Sequence, residues 1–230
     1  MGQLGPAGRL PLARNGTMLV WRQLRQDVAG FRRAATRWGG RAGLSGDEMA
    51  ARLVGRWQDG TPLAVAPDAP PGRSVADRAA LDDYRYGDDP LGVRCPVGSH
   101  VRRANPRDGL AFPSMTTRHR IVRRGQPYGP VLPAGARDDG ADRGLLFLSL
   151  GSSIERQFEF IVRMWFNDGT RVRSGDDRDP LLGAPGGSGR FVLPGRNPVV
   201  LEGVRSFVTT RGGEYFLLPG LTALRALTAR

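Results

Sequence analysis

Between residues 56 and 118 the chain carries no sustained hydrophobic period, and this stretch restricts its fold more than any other feature. It is rich in Pro, Gly, Asp and Arg, the composition of loops. A connection of this length inside a compact domain is uncommon, and is usually functional or disordered. Any sheet must therefore be assembled from the periodic segments on either side of it.

Those segments are legible. TMLVWRQL (17–24) reads as a strand, with Met18, Val20 and Arg22 alternating against Leu19 and Trp21. DVAGFRRAATRWGG (27–40) reads as a helix capped by Asp27, with Val28, Phe31, Ala35 and Trp38 at helical spacing and Gly39-Gly40 as its stop. Ser45 and Glu48 form a capping box that starts a short helix over 46–55. Beyond the insert, RHRIVRRG (118–125) and the apolar run RGLLFLSL (143–150) read as strands, the second one buried. Ser152 and Glu155 cap a helix, SIERQFEFIVRMWFND, whose Ile154, Phe158, Ile161, Val162 and Trp165 make one apolar stripe. SFVTTRGGEYFLLP (206–219) predicts a hairpin turning at its glycines, and LTALRALTA a closing helix. Without the second helix and the insert the order is βαββαβ. That is an α+β, ferredoxin-like plan, an antiparallel sheet with helices on one face. Such a fold does not by itself assign a function.

The length of 230 residues allows one large domain or two small ones. No apolar run approaches the roughly 18–20 residues of a membrane span. The first sixteen residues contain no apolar signal region, so a cytoplasmic location is expected. Pro6 stands where myristoylation of Gly2 would want Ser or Thr. One cysteine excludes an internal disulfide and fits a reducing compartment. The net charge is +12, carried entirely by arginine without lysine, which fits either anionic partners or the codon bias of a GC-rich genome. The basic segments lack interleaved aromatics, which argues against nucleic acid.

RCPVGSHVRRANPRD (94–108) holds the single cysteine and one of only two histidines. Cys95, His100 and His119 are too few for a zinc site of four N/S ligands. Haem needs only one axial protein ligand, so a histidine-poor chain remains compatible with it. Arg102, Arg103 and Arg107 follow His100 closely. They suit haem propionates, or form a solvated basic face around an ordinary polar loop residue. A Cys95–His119 pair would need geometry that sequence does not supply. There is no G-x-S-x-G, P-loop or dinucleotide fingerprint. The acidic runs 82–89 and 176–179 read as solvated loops.

Six blocks together resemble the dye-decolorising (DyP-type) haem peroxidases: NGTMLVWRQLRQDVAGF, YGDDPLGVRCPVGSHVRRANPRD, IVRRGQPYGP, RGLLFLSLGSSIERQFEFIVRMWFN, DPLLG and FVTTRGGEYFLLPGLTALRAL. They stand in the family's order over residues 14–228. The resemblance implies the C-terminal of two ferredoxin-like domains, over 14–230, after an irregular segment 1–13. It implies haem b, with His100 as the iron ligand, Arg107 and Arg103 toward the propionates, and Asp179 behind His100. Arg123 would be the distal catalytic arginine. The implied partners are hydrogen peroxide, a reducing aromatic substrate such as a dye or phenol, and a separate N-terminal half or a second copy of the chain. One feature departs from the pattern. The family's distal G-x-x-D-G aspartate has no counterpart here, Asp59 of GRWQDG lying in a different block. The first domain is therefore expected to be missing from this sequence, leaving either a weakened peroxidase or a non-catalytic haem-binding remnant.

Overall fold

A computed structural model describes residues 12–70, 81–110, 112–172, 175–184 and 189–229. Most of the segment expected to be irregular, 1–13, lies outside them. The chain runs β1 (Thr17–Gln26), α1 (Val28–Ala42), α2 (Gly46–Val54), α3 (His100–Ala104), α4 (Pro113–Arg118), β2 (Val122–Tyr128) and β3 (Gly144–Gly151). It continues through two π-helical segments, Glu155–Glu159 and Ile161–Phe166, to β4 (Phe191–Leu193), β5 (Val199–Leu201), β6 (Val208–Leu218) and α5 (Leu221–Thr228).

The main sheet has the order β2-β3-β1-β6 and is antiparallel throughout. This is the ferredoxin-like arrangement, with β1 central and β6 returning beside it. Because strand side chains alternate, β1 divides its residues between two faces. Val20 and Leu24 are buried on the inner face. There Arg22 and Tyr215 meet Phe158 of the first π-helical segment. Leu19 and Trp21 point to the outer face.

Asp27 caps α1 by accepting a hydrogen bond from the Gly30 N–H at 2.7 Å. Gly39-Gly40 does not stop α1. The helix runs on to a left-handed Gly43, whose N–H returns to the Gly39 carbonyl. Gly39 instead allows close packing, since a Cβ there would lie 2.7 Å from the Leu44 and Ser45 carbonyl oxygens. The capping box of Ser45 and Glu48 forms, and α2 packs on α1. The small β4–β5 hairpin adds Phe191, Leu193 and Leu201 to a core containing Trp38, Met49 and Leu53.

Four further sequence expectations change. The stretch 206–219 is one strand rather than a hairpin. Its register against β1 shifts between Gln23 and Leu24, skipping Arg211, so the glycines accompany a β-bulge. A side chain at Gly213 would sit 2.4 Å from the Trp21 carbonyl. The strand expected at 118–125 starts only at Val122, because α4 occupies the residues up to Arg118. The helix after β3 is capped by Ser153, not Ser152. The Ser153 Oγ accepts from the Arg156 N–H at 3.3 Å, while Gln157 reaches back to the Ser153 N–H at 3.0 Å. β3 is half-buried rather than buried, since its outer face is open.

The insert is ordered around charge. Trp57, Leu63, Tyr84, Tyr86 and Cys95 form a small core. Arg102 and Asp89, each 5% exposed at the side chain, pair at 3.0 Å beside it. Arg102 also donates to the carbonyls of Cys95 (2.6 Å) and Asp89 (2.7 Å), and its guanidinium lies 4.5 Å from the Tyr86 ring centroid. Asp89 accepts from the N–H groups of Arg94 and Cys95 in return. The expectation of a solvated acidic run therefore fails at Asp89. Removing one partner strands a buried charge, so Arg102→Met is expected to cost about 3–5 kcal/mol in urea unfolding. Arg94→Met, which removes an exposed pair with Asp88, should cost below about 1 kcal/mol.

Candidate functional site

His100 opens α3, and the local sequence fixes where that short helix lies. Ser99 is fully buried, and its hydroxyl donates to the Arg52 carbonyl of α2 at 2.5 Å. Gly55, at φ 94°, ends α2 where a Cβ would press on Val101 and Ser99. Only glycine combines that backbone with so close an approach. From the other side Arg103, with no exposed surface, donates to the carbonyls of Trp165 (2.8 Å) and Asp177 (2.6 Å). α3 is thus pinned to α2 and to the second π-helical segment. The His100 ring rests 5.2 Å from that of Phe166.

Behind His100 stands Asp179, whose side chain is fully buried. Its Oδ2 accepts from His100 Nδ1 at 3.0 Å, and its Oδ1 accepts from the N–H groups of Leu181 (2.9 Å) and Leu182 (2.8 Å). Its own N–H donates to the Phe166 carbonyl at 2.7 Å, which fixes the loop. Burial raises the Asp179 pKa. The His100 charge and hydrogen bond, with those from Leu182 and Leu181, outweigh this and hold it below the ordinary carboxylate value. An ionised Asp179 only accepts, so Nδ1 carries the proton toward it, and in the neutral ring this tautomer leaves the Nε2 lone pair for another partner. Among the described residues Nε2 has no hydrogen-bond partner, and the side chain keeps 24% of its surface exposed. The same residues contain no group of three or more His, Cys, Asp or Glu able to hold a metal ion. A lone imidazole can serve a metal only where the metal's other ligands come with it, as in a metalloporphyrin.

The other candidates lie in varied settings. Arg103, expected toward a propionate, uses its two terminal nitrogens to donate to the carbonyls of Trp165 and Asp177 inside the protein. Arg107 adopts φ 53°, donates to the Asp82 carbonyl at 2.7 Å and stacks 3.9 Å from the Tyr84 ring centroid. Arg123 is exposed on edge strand β2, opposite Ser149, and so shares the inner face with Val20 and Tyr215. Asp59 is exposed and accepts from the Thr61 N–H in its own turn. His119 stacks on Phe160 at 3.5 Å and donates through Nδ1 to the Arg156 carbonyl, whereas Cys95 sits in the insert core. Burial pushes the Cys95 thiol up to about 11. Sequence reasoning missed Arg22, which lies over Tyr215 at 4.7 Å while the Tyr215 hydroxyl donates to Glu159 at 3.1 Å. A charged residue at an inner position of β1 was the available signal.

The domain thus combines an antiparallel ferredoxin-like sheet with an imidazole held against a buried carboxylate on an anchored helix. The multifunctional dye peroxidase DyP2 of Amycolatopsis sp. is 34% identical to this chain, covering 96% of it and 51% of the relative. The DyP-type peroxidase of Anabaena sp. superimposes with a TM-score of 0.79 at 30% identity, covering 92% of this chain and 46% of that one. A dye-decolorizing peroxidase solved in complex with 2,6-dimethoxyphenol gives 0.77 at 30% identity, covering 100% of this chain and 56% of that one. No protein-family model matches the chain. By sequence and by fold, the chain belongs to the dye-decolorising peroxidase family. It spans about half the length of the curated relatives it matches.

Asp179→Asn is expected to keep the fold and to lose about 1–3 kcal/mol in urea unfolding. A depressed carboxylate stabilises fully above its unfolded pKa, and that contribution fades as pH falls through the lower folded value. The gap between the two proteins should therefore be constant near neutrality and close in acid. Cys95 should resist iodoacetamide at pH 8 in the native protein and react once urea exposes it.

Proposed function

We propose that this chain is the haem-holding half of a dye-decolorising peroxidase, with Nε2 of His100 as the protein ligand to the iron of haem b. The observation that carries the reading is the His100–Asp179 hydrogen bond, which fixes the tautomer and leaves Nε2 available to a metal. The donor set fits the group: one oriented imidazole, backed by an anion that raises its basicity. Haem, when bound, supplies the redox chemistry by which peroxide is reduced and a phenol or dye is oxidised.

The chain's own residues set up that chemistry. Asp179 and Phe166 fix the plane of the imidazole. Arg107, less deeply placed than the buried Arg103, is the better candidate of the two for a propionate. Arg123 on the inner face orients peroxide and offsets negative charge developing on the departing oxygen. A guanidinium stays protonated, so it cannot receive the peroxide proton. Positioned proton transfer typically contributes 10²–10⁴-fold. A second reading is haem binding with slow turnover, for any form of the protein in which no such acid reaches the peroxide.

Hemin titration into the purified chain is expected to give a Soret band. His100→Ala should lose that band and regain it with added imidazole; identical spectra for the two proteins would contradict the assignment. Arg123→Leu should retain the band and slow the reaction with peroxide by about 10²-fold in stopped flow.

A further inference from the structure

A cleft of about 230 Å³ opens where α1 faces the segment leading into β6, and it shares no residue with the haem reading. Gly30, Arg33, Ala34 and Arg37 fall at i, i+3, i+4 and i+7 of α1 and so lie on one helix face. Arg205 and Phe207 supply the other wall. Ala34, Trp38 and Phe207 are buried and make an apolar floor, with Phe207 edge-on to Trp38 at 6.1 Å between centroids. The three arginines are exposed and form the rim.

None of the three makes an ion pair or hydrogen bond among the described residues, whereas Arg25, Arg56, Arg94 and Arg143 each face a carboxylate. Arg33 and Arg37 even repel each other, standing four apart on one helix. Asp27 adjoins Gly30, where its carboxylate caps α1 by accepting from the Gly30 N–H. Three guanidinium groups against that one carboxylate leave two positive charges in excess. A second sign is buried. The Trp38 indole N–H is cut off from water and has no hydrogen-bond partner among the described residues, which is costly unless an acceptor is brought to it. The wall opposite α1 is held in place by the fold itself. The Phe207 carbonyl accepts from the Asp27 N–H at 2.8 Å, and the Ser206 hydroxyl donates to the Leu181 carbonyl at 2.5 Å. A site preformed in this way loses little freedom on binding.

We propose that the cleft binds a small organic phosphate, a monoester dianion whose oxygens meet Arg33, Arg37 and Arg205 and whose apolar end rests on Ala34 and Phe207. Guanidinium forks match phosphate oxygens with parallel hydrogen bonds. The two excess charges favour a dianion over a singly charged carboxylate. The volume lies below the roughly 300–1,000 Å³ of sites for drug-sized ligands, so the ligand is compact, about one ring beyond its phosphate.

Isothermal titration calorimetry of the full chain with phenyl phosphate, without haem, at pH 8 and fixed ionic strength, tests this independently of the peroxidase reading. A single saturable site with a Kd below about 1 mM is expected. Arg33→Gln, Arg37→Gln and Arg205→Gln should each weaken it by about tenfold. Arg225→Gln, which changes an exposed arginine of α5 outside the cleft, should leave it unaltered. Benzoate lacks the second charge and inorganic phosphate lacks the apolar end, so both should bind more weakly. Circular dichroism confirms that each variant is folded, as expected for exposed positions. The proposal is overturned if phenyl phosphate shows no saturable binding, or if the cleft variants bind it as the original does. Equal weakening by Arg225→Gln, or either comparison compound binding as tightly as phenyl phosphate, also overturns it.

Discussion

One buried carboxylate organises the candidate site. Asp179 is cut off from water and would be costly there without partners. Its three hydrogen bonds, from two backbone N–H groups and one imidazole, make it tenable. The backbone bonds hold the acid; the acid then holds the ring. The orientation of His100 thus derives from the folding of the loop around residue 179, and that loop is itself tied to Phe166 and, through Asp177, to Arg103. A change at any of these points reaches the imidazole without touching it.

Arginine serves two purposes here. The excess positive charge is a property of the whole chain, yet Arg102 and Arg103 lie inside, where each binds backbone carbonyls that loops would otherwise leave without partners. An insert without hydrophobic periodicity has few regular ladders to satisfy its backbone. Planar guanidinium groups with several donors take over that task. Adjacent arginines after His100 therefore anchor the helix that carries it.

The sequence showed the sheet and its flanking helices because their order follows from alternation, caps and apolar stripes. Val20, Asp27 and the Ser45–Glu48 box stand as their spacing suggests. Departures came where a local signal had two physical uses. Gly39-Gly40 allows close helix packing, and the RGG run follows a bulge rather than a turn. Asp89 and Asp179 sit in acidic runs that look solvated, and nothing local tells which member will be buried. His100 and Asp179 are 79 residues apart, so their pairing was available only through family resemblance. Arg103 shows the opposite limit, since its neighbours in sequence suggested an anion while its neighbours in space are carbonyls.

The central claim is that Asp179 fixes the proton of His100 on Nδ1. Long-range ¹H–¹⁵N NMR of the haem-free chain at neutral pH reads this directly, and with only two histidines a His119→Gln variant assigns the signals. The account predicts a proton on Nδ1 of His100 and, in the neutral ring, none on Nε2. A neutral ring with its proton on Nε2 and none on Nδ1 would contradict it, because Asp179 would then not be setting the tautomer.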